Sequence, residues 1–304
     1  MNISAATPSG SPEQRALVLA GGGAAGNAWE LGVIAGLHEA GLDMTGADVV
    51  IGTSAGSTVA AQVTAGTSPS DLYASILAEV PPVRPSREGP EQGRRPAVSG
   101  PGYLEWSNAI IASATDPADM RRRLGAAALE RDASGGADAR RWREVVASRL
   151  PSRDWPRQRV LVVAVDAESG EPVVFDRDSG VDLVDAVAAS TSAMTPYEIG
   201  GRRFLNGGYR RSENADLAAG CGRVLVMSPF GGASRMPSAW GMDLATQVAE
   251  LRAGGSAVET IFPDAGSGEV FDANALDPAT RRPAARGGYA QGRALAEHLA
   301  GFWG

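Results

Sequence analysis

Two glycine-framed stretches near the N-terminus carry the residue types from which an acyl-transfer site is built: Gly21-Gly22-Gly23-Ala24-Ala25-Gly26 and Gly52-Thr53-Ser54-Ala55-Gly56. A serine in the pattern G-x-S-x-G suits a sharp strand-to-helix turn that lifts its hydroxyl clear of the backbone, the nucleophile elbow. A glycine run after a strand leaves backbone N–H groups free to point at a developing oxyanion. Ser54 is therefore the candidate nucleophile. The N–H groups of Gly22, Gly23 and Ala24, with that of Ala55, are the candidate oxyanion donors. The bland alternative is a tight turn with a helix-capping serine, and the paired glycine loop weighs against it.

A serine nucleophile needs a partner to take its proton. The chain has two histidines, His38 and His298, and both fall inside predicted helices. A Ser-His-Asp triad in α/β-hydrolase order places its histidine on a late loop instead. There is no lysine; every other basic residue is arginine. That removes a Ser–Lys dyad, a P-loop lysine and any Schiff-base chemistry. Gly21, Gly23 and Gly26 also satisfy G-x-G-x-x-G, so a dinucleotide site needs weighing. Its ribose-binding acid belongs at the end of the next strand. Asp43 and Asp48 lie at or before the start of that strand, and its end holds Gly52-Thr53-Ser54, so this reading is set aside.

The elements that would position these residues follow from the hydrophobic pattern. Residues 15–20 and 48–52 read as buried strands, each running into one of the glycine turns, with helices over 24–40 and 54–65. Glycine turns at strand C-termini are where open α/β sheets place their ligands. Residues 81–101, rich in Pro, Gly and Arg, read as a long surface loop, and 101–150 as helical with a weak spot at 134–136. Strands are expected at 159–165, 172–175, 203–205, 223–227 and 257–262. Helices are expected at 182–189, 239–253 and 288–299. Alternating strands and helices predict an α/β fold with a mostly parallel sheet covered on both faces. Residues 1–14 read as a flexible polar segment and 15–304 as a single domain.

Composition narrows the function. A net charge of -7 over 304 residues argues against nucleic acid as a partner. Arg121-Arg122-Arg123 and Arg140-Arg141 read as solvated helix faces. One cysteine, Cys221, excludes an internal disulfide. No secretory leader and no run long enough for a transmembrane segment is present, so a cytoplasmic protein is the expectation. Nothing in the sequence sets an oligomeric state.

Taken in order, these motifs resemble those of the patatin-like phospholipases. In that family the glycine loop and the serine elbow are followed by a late Asp-Gly-Gly or Asp-Gly-Ala turn. Residues 188–196 (AASTSAMTP) and 200–205 resemble the approach to that turn, which appears here as Asn206-Gly207-Gly208. The resemblance spans most of 15–232. It implies a three-layer α/β/α patatin-like fold with a helical insertion at about 71–150. It also implies a Ser–Asp dyad without histidine, an acyl-enzyme, an acyl ester or lipid substrate, and no metal or organic cofactor. Two positions depart from the family pattern. Ala25 replaces a frequent Arg or Lys of the oxyanion loop, and Asn206 stands where the dyad carboxylate belongs. An amide can orient a hydroxyl but cannot take its proton, so the chain as written is expected to turn over slowly or not at all. Three explanations stay open: a substitution made to trap a complex, a natural binding protein, or another carboxylate in the role. Asp166 and Asp216 are the candidates for the last, and both read more simply as structural.

Overall fold

The computed structural model describes residues 10–79, 100–132, 137–268, 270–272 and 274–304. Residues 1–9 of the expected N-terminal segment, nearly all of the expected loop at 81–101, and the weak spot at 134–136 lie outside the described residues. Eight strands form one sheet: β1 (Arg15–Leu19), β2 (Val49–Thr53), β3 (Arg159–Asp166), β4 (Pro172–Phe175), β5 (Tyr197–Ile199), β6 (Arg202–Asn206), β7 (Arg223–Met227) and β8 (Ala257–Ile261). The strands β8-β7-β1-β2-β3 run parallel, in that spatial order. β4, β5 and β6 are antiparallel additions.

The register along β3 places the site. Val162 and Val163 pair with both β2 and β4, whereas Ala164 and Val165 pair with both β4 and β6. A strand residue has only two edges. β4 therefore occupies one edge of β3, and β2 and β6 share the other, meeting end to end. Thr53 lies opposite Val163 and Asn206 opposite Ala164, on successive rungs. The residue after Thr53 and the last residue of β6 are thereby delivered to one point.

Nine α-helices are described: α1 (Gly23–Glu39), α2 (Ala55–Val63), α3 (Pro69–Ala78), α4 (Gly100–Ser113), α5 (Pro117–Arg131), α6 (Ala137–Ala147), α7 (Leu183–Ser190), α8 (Leu244–Ala253) and α9 (Arg281–Trp303). The two-residue period of β1 divides its side chains between two faces. Leu17 and Leu19 join Trp29 and Ile34 of α1, Val187 of α7 and Ala284 of α9 in one buried cluster. Ala16 and Val18 join Leu244 and Leu251 of α8 in another. A third cluster brings Ile111 of α4 and Met120 and Leu124 of α5 onto Val165, Leu205 and Tyr209. This is an α/β fold with a mixed, mostly parallel sheet flanked by helices.

Helices α1 and α9 pack backbone to backbone. A Cβ at Gly32 or Gly36 would lie 2.2 Å from a carbonyl oxygen of α9, and one at Gly292 would lie 2.2 Å from Val33 O. Only glycine permits that approach. α9 starts earlier than its expected 288. Pro283 sits in its first turn, where a missing N–H removes no intrahelical bond. The helix expected at 239–253 is shortened. Gly241 adopts φ 61°, and Asp243 restarts the chain as the cap of α8, accepting from Thr246 N–H at 2.9 Å.

Candidate active site

Ser54 sits between β2 and α2 at φ 53°, ψ -121°, a left-handed conformation that a serine holds only when its surroundings impose it. Several contacts do so. The Ser54 N–H donates to Ser190 Oγ at 2.9 Å. The N–H and Oγ of Ser57 both donate to Ser54 O, at 2.9 and 2.6 Å. Gly56 lets α2 begin directly against β1, since a Cβ there would lie 2.1 Å from Leu19 O. The start of α2, with its unpaired N–H groups and positive dipole end, thus faces the hydroxyl.

Asn206 closes the pair. Its Nδ2 donates to Ser54 Oγ at 2.9 Å, and its Oδ1 accepts from Gly208 N–H at 2.9 Å. The second bond fixes the amide, because a backbone N–H can only donate and must face the oxygen. Ser54 therefore meets a donor. The same pose with a carboxylate would keep the Gly208 bond and turn an acceptor toward the serine. Asn206 N–H donates to Ser192 O at 2.7 Å. The C-terminal end of α7 thus holds the elbow through Ser190, and the turn after it holds residue 206 through Ser192.

The glycine loop crosses beside the elbow. A Cβ at Gly21 would lie 3.2 Å from Ser54 Cβ, so the loop and Ser54 are in contact. Gly23 has φ 62°, and Ala25 N–H is tied to Ala275 O at 3.0 Å. No backbone hydrogen bond among the described residues uses the N–H groups of Gly22, Gly23 or Ala24, which cap and begin α1. Pro229, just after β7, packs against Gly22 and Gly26 and supports the loop from behind.

The other candidates lie elsewhere. Asp166 Oδ2 accepts from Arg202 Nη2 and Nε at 2.8 and 3.2 Å, and its Oδ1 accepts from Ser169 Oγ and the N–H groups of Glu168 and Ser169. Burial pushes its carboxyl up, but these donors outweigh burial and hold it below the usual range. Asp216 pairs with Arg210 at 2.6 and 2.9 Å. Neither aspartate bonds Ser54 among the described contacts. His38 is exposed in the last turn of α1, and His298 is exposed on α9, 3.8 Å from Glu259. Asp48 accepts from Arg15 N–H at the opposite end of the sheet, and Asp43 accepts from Thr45. Arg122 and Arg123 lie exposed on α5 beside Asp119. No cluster of metal-ligating side chains occurs among the described residues.

Sequence reasoning passed over Ser190, Ser192, Glu213 and Asn214. Ser190 and Ser192 lie in the stretch leading to the third motif, but nothing in the pattern says which hydroxyl faces the elbow. Glu213 is buried with hydrogen bonds to Ser212, Ser228 and Gln247; burial raises its carboxyl pKa despite these partners. Glu30, in α1, is fully buried, and neither carboxyl oxygen has a hydrogen-bond partner among the described residues. Burial pushes it well above the usual carboxylate range. Its nearest relief, the Ala20 N–H, already donates to Met227 O.

Compared with known proteins, residues 17–219 match the Patatin family, described as patatin-like phospholipase. No curated protein matches the chain. Among solved structures it is similar to VipD from Legionella pneumophila, at 17% identity and TM-score 0.44, over 95% of this chain and 68% of that one. It is also similar to the type III effector protein ExoU, at 21% identity and TM-score 0.42, over 95% of this chain and 54% of that one. The chain thus spans about half the length of ExoU.

Proposed function

The chain belongs to the patatin-like phospholipase family, a family of serine lipid acyl hydrolases, and from that premise we propose that Ser54 is its acyl-accepting nucleophile and that position 206 sets its rate. The observation that carries this reading is the 2.9 Å contact between Asn206 Nδ2 and Ser54 Oγ, with the amide turned by Gly208. With a carboxylate at position 206, as in Asn206→Asp, Ser54 Oγ bonds to the carbonyl carbon of an acyl ester while that carboxylate takes its proton. The N–H groups of Gly22, Gly23 and Ala24, with that of Ala55, stabilise the oxyanion. The alcohol then leaves with a proton, and water releases the acid from Ser54. The substrate is an acyl ester, either a lipid or a smaller ester. Passing the same acyl group to another acceptor would make the chain an acyltransferase.

With Asn206 in place, both acylation and deacylation lack the general base, a loss of about 10²–10⁴-fold. Asn206→Asp should raise hydrolysis of an acyl-ester panel by at least about 10²-fold, and adding Ser54→Ala should abolish the gain. A panel that shows no gain with Asn206→Asp would contradict the reading and favour a silent acyl-ligand binding protein.

A further inference from the structure

Only two described residues other than glycine have positive φ: Ser54 and Asn214, the latter at φ 60°, ψ 32°. Asparagine tolerates this region better than most residues, yet a fully buried example still reports an imposed geometry. What Asn214 holds explains it. Its Nδ2 donates to Thr53 Oγ1 at 3.0 Å and to Gly207 O at 3.1 Å. Thr53 immediately precedes Ser54, and Gly207 immediately follows Asn206. One amide group thus bridges the backbone neighbours of both members of the pair. Its Oδ1 accepts from Arg210 Nη1 at 2.8 Å, and the paired Asp216 orients Arg210. Thr53 Oγ1 in turn donates to Glu213 O at 3.2 Å.

The neighbouring residue extends the clasp to a third strand end. Glu213 accepts from Ser228 Oγ at 2.9 Å, Ser228 directly follows β7, and Pro229 beside it supports Gly22. Residues 213 and 214 therefore tie together the ends of β2, β6 and β7, which carry the elbow, residue 206 and the support of the oxyanion loop. β2 and β6 meet end to end on β3, and no ladder bond joins one to the other. β3 sets their register, and Asn214 adds a direct tie between the residues flanking Ser54 and Asn206.

We propose that Asn214 is a positioning residue that sets the separation between Ser54 Oγ and residue 206 by clamping Thr53 to Gly207. The kinetic part of this rests on the reading of Ser54 as nucleophile; the geometric part does not. Asn214→Gly removes the amide while keeping a residue that adopts positive φ without strain. In a crystal structure of Asn214→Gly, the Ser54–Asn206 contact should open from 2.9 Å beyond hydrogen-bond reach. An unchanged contact would overturn the proposal.

In the Asn206→Asp chain, adding Asn214→Gly should lower kcat on the order of 10–10²-fold with KM nearly unchanged, as expected for a misplacement of about 1 Å. Thr53→Val should give the same loss, Thr53→Ser should recover most of it, and the double variant should lose no more than either single one. A lowered Tm with kcat intact would show an ordinary buried polar contact and overturn the proposal. If Asn206→Asp itself gains no activity, the functional reading fails and the crystallographic separation alone decides the role of Asn214. If Asn214→Gly does not fold, the crystal structure of Thr53→Val decides it by the same criterion.

Discussion

At Asn206 the question of activity comes down to one atom. The Gly208 N–H claims the side-chain oxygen, so the atom left for Ser54 is a nitrogen bearing hydrogens. No rotation of the amide offers an acceptor to both neighbours, whereas a carboxylate does. Ser190 acts at the same scale, because its hydroxyl is the acceptor for the elbow's own N–H. Glu30 poses a different problem: a buried acid with no hydrogen-bond partner among the described residues. Its folded-state pKa lies above its unfolded value. Its contribution is therefore fully present below the unfolded pKa and is lost as pH rises toward the folded one. Glu213 has the same sign, whereas Asp166, with its lowered pKa, loses its contribution as pH falls. Glu30→Gln should therefore gain stability over the parent as pH rises from about 4.5, the ordinary glutamate value, into the neutral range. Thermal melts at acidic and mildly alkaline pH check this, and a Tm difference independent of pH would contradict it.

Among the elements, those with strong local patterns were legible in the sequence. The strands ending in the two glycine turns, the helices that follow them, and β7 came directly from apolar runs bounded by glycine. The candidate nucleophile and the candidate oxyanion loop came with them, because an elbow is a local motif. What stayed illegible was non-local. The α1–α9 contact is made by glycines, which read as weak helix formers in sequence and here permit a backbone approach that no alternative residue allows. Gly292→Ala should place a Cβ 2.2 Å from Val33 O and destabilise the fold by about 1–3 kcal/mol through overpacking. Denaturant unfolding measures it, and an unchanged midpoint would mean that the helices separate without cost. The three-residue β5 is too short to show a period. Ser190 and Asn214 are polar residues that reach the elbow across more than a hundred residues of sequence, so nothing nearby signals that contact.

Over the whole molecule, the sheet order gives the site its logic. Parallel strands β1 and β2 bring the glycine loop and the elbow to the same edge. Antiparallel β6 then runs back toward β2 along β3 and delivers residue 206 to that edge. Helices on both faces bury the sheet, and the carboxyl ends of the strands stay available for chemistry. No helix among the described residues is long and apolar enough to cross a membrane. The most direct test of the central claim follows the acyl group itself. After rapid mixing of the Asn206→Asp chain with an activated acyl ester, intact-mass and peptide analysis should find one acyl group, carried on the peptide containing Ser54. It should form faster than in the parent by at least about 10²-fold and be absent from Ser54→Ala. Acyl transfer to another residue, or a rate that ignores position 206, would contradict the account.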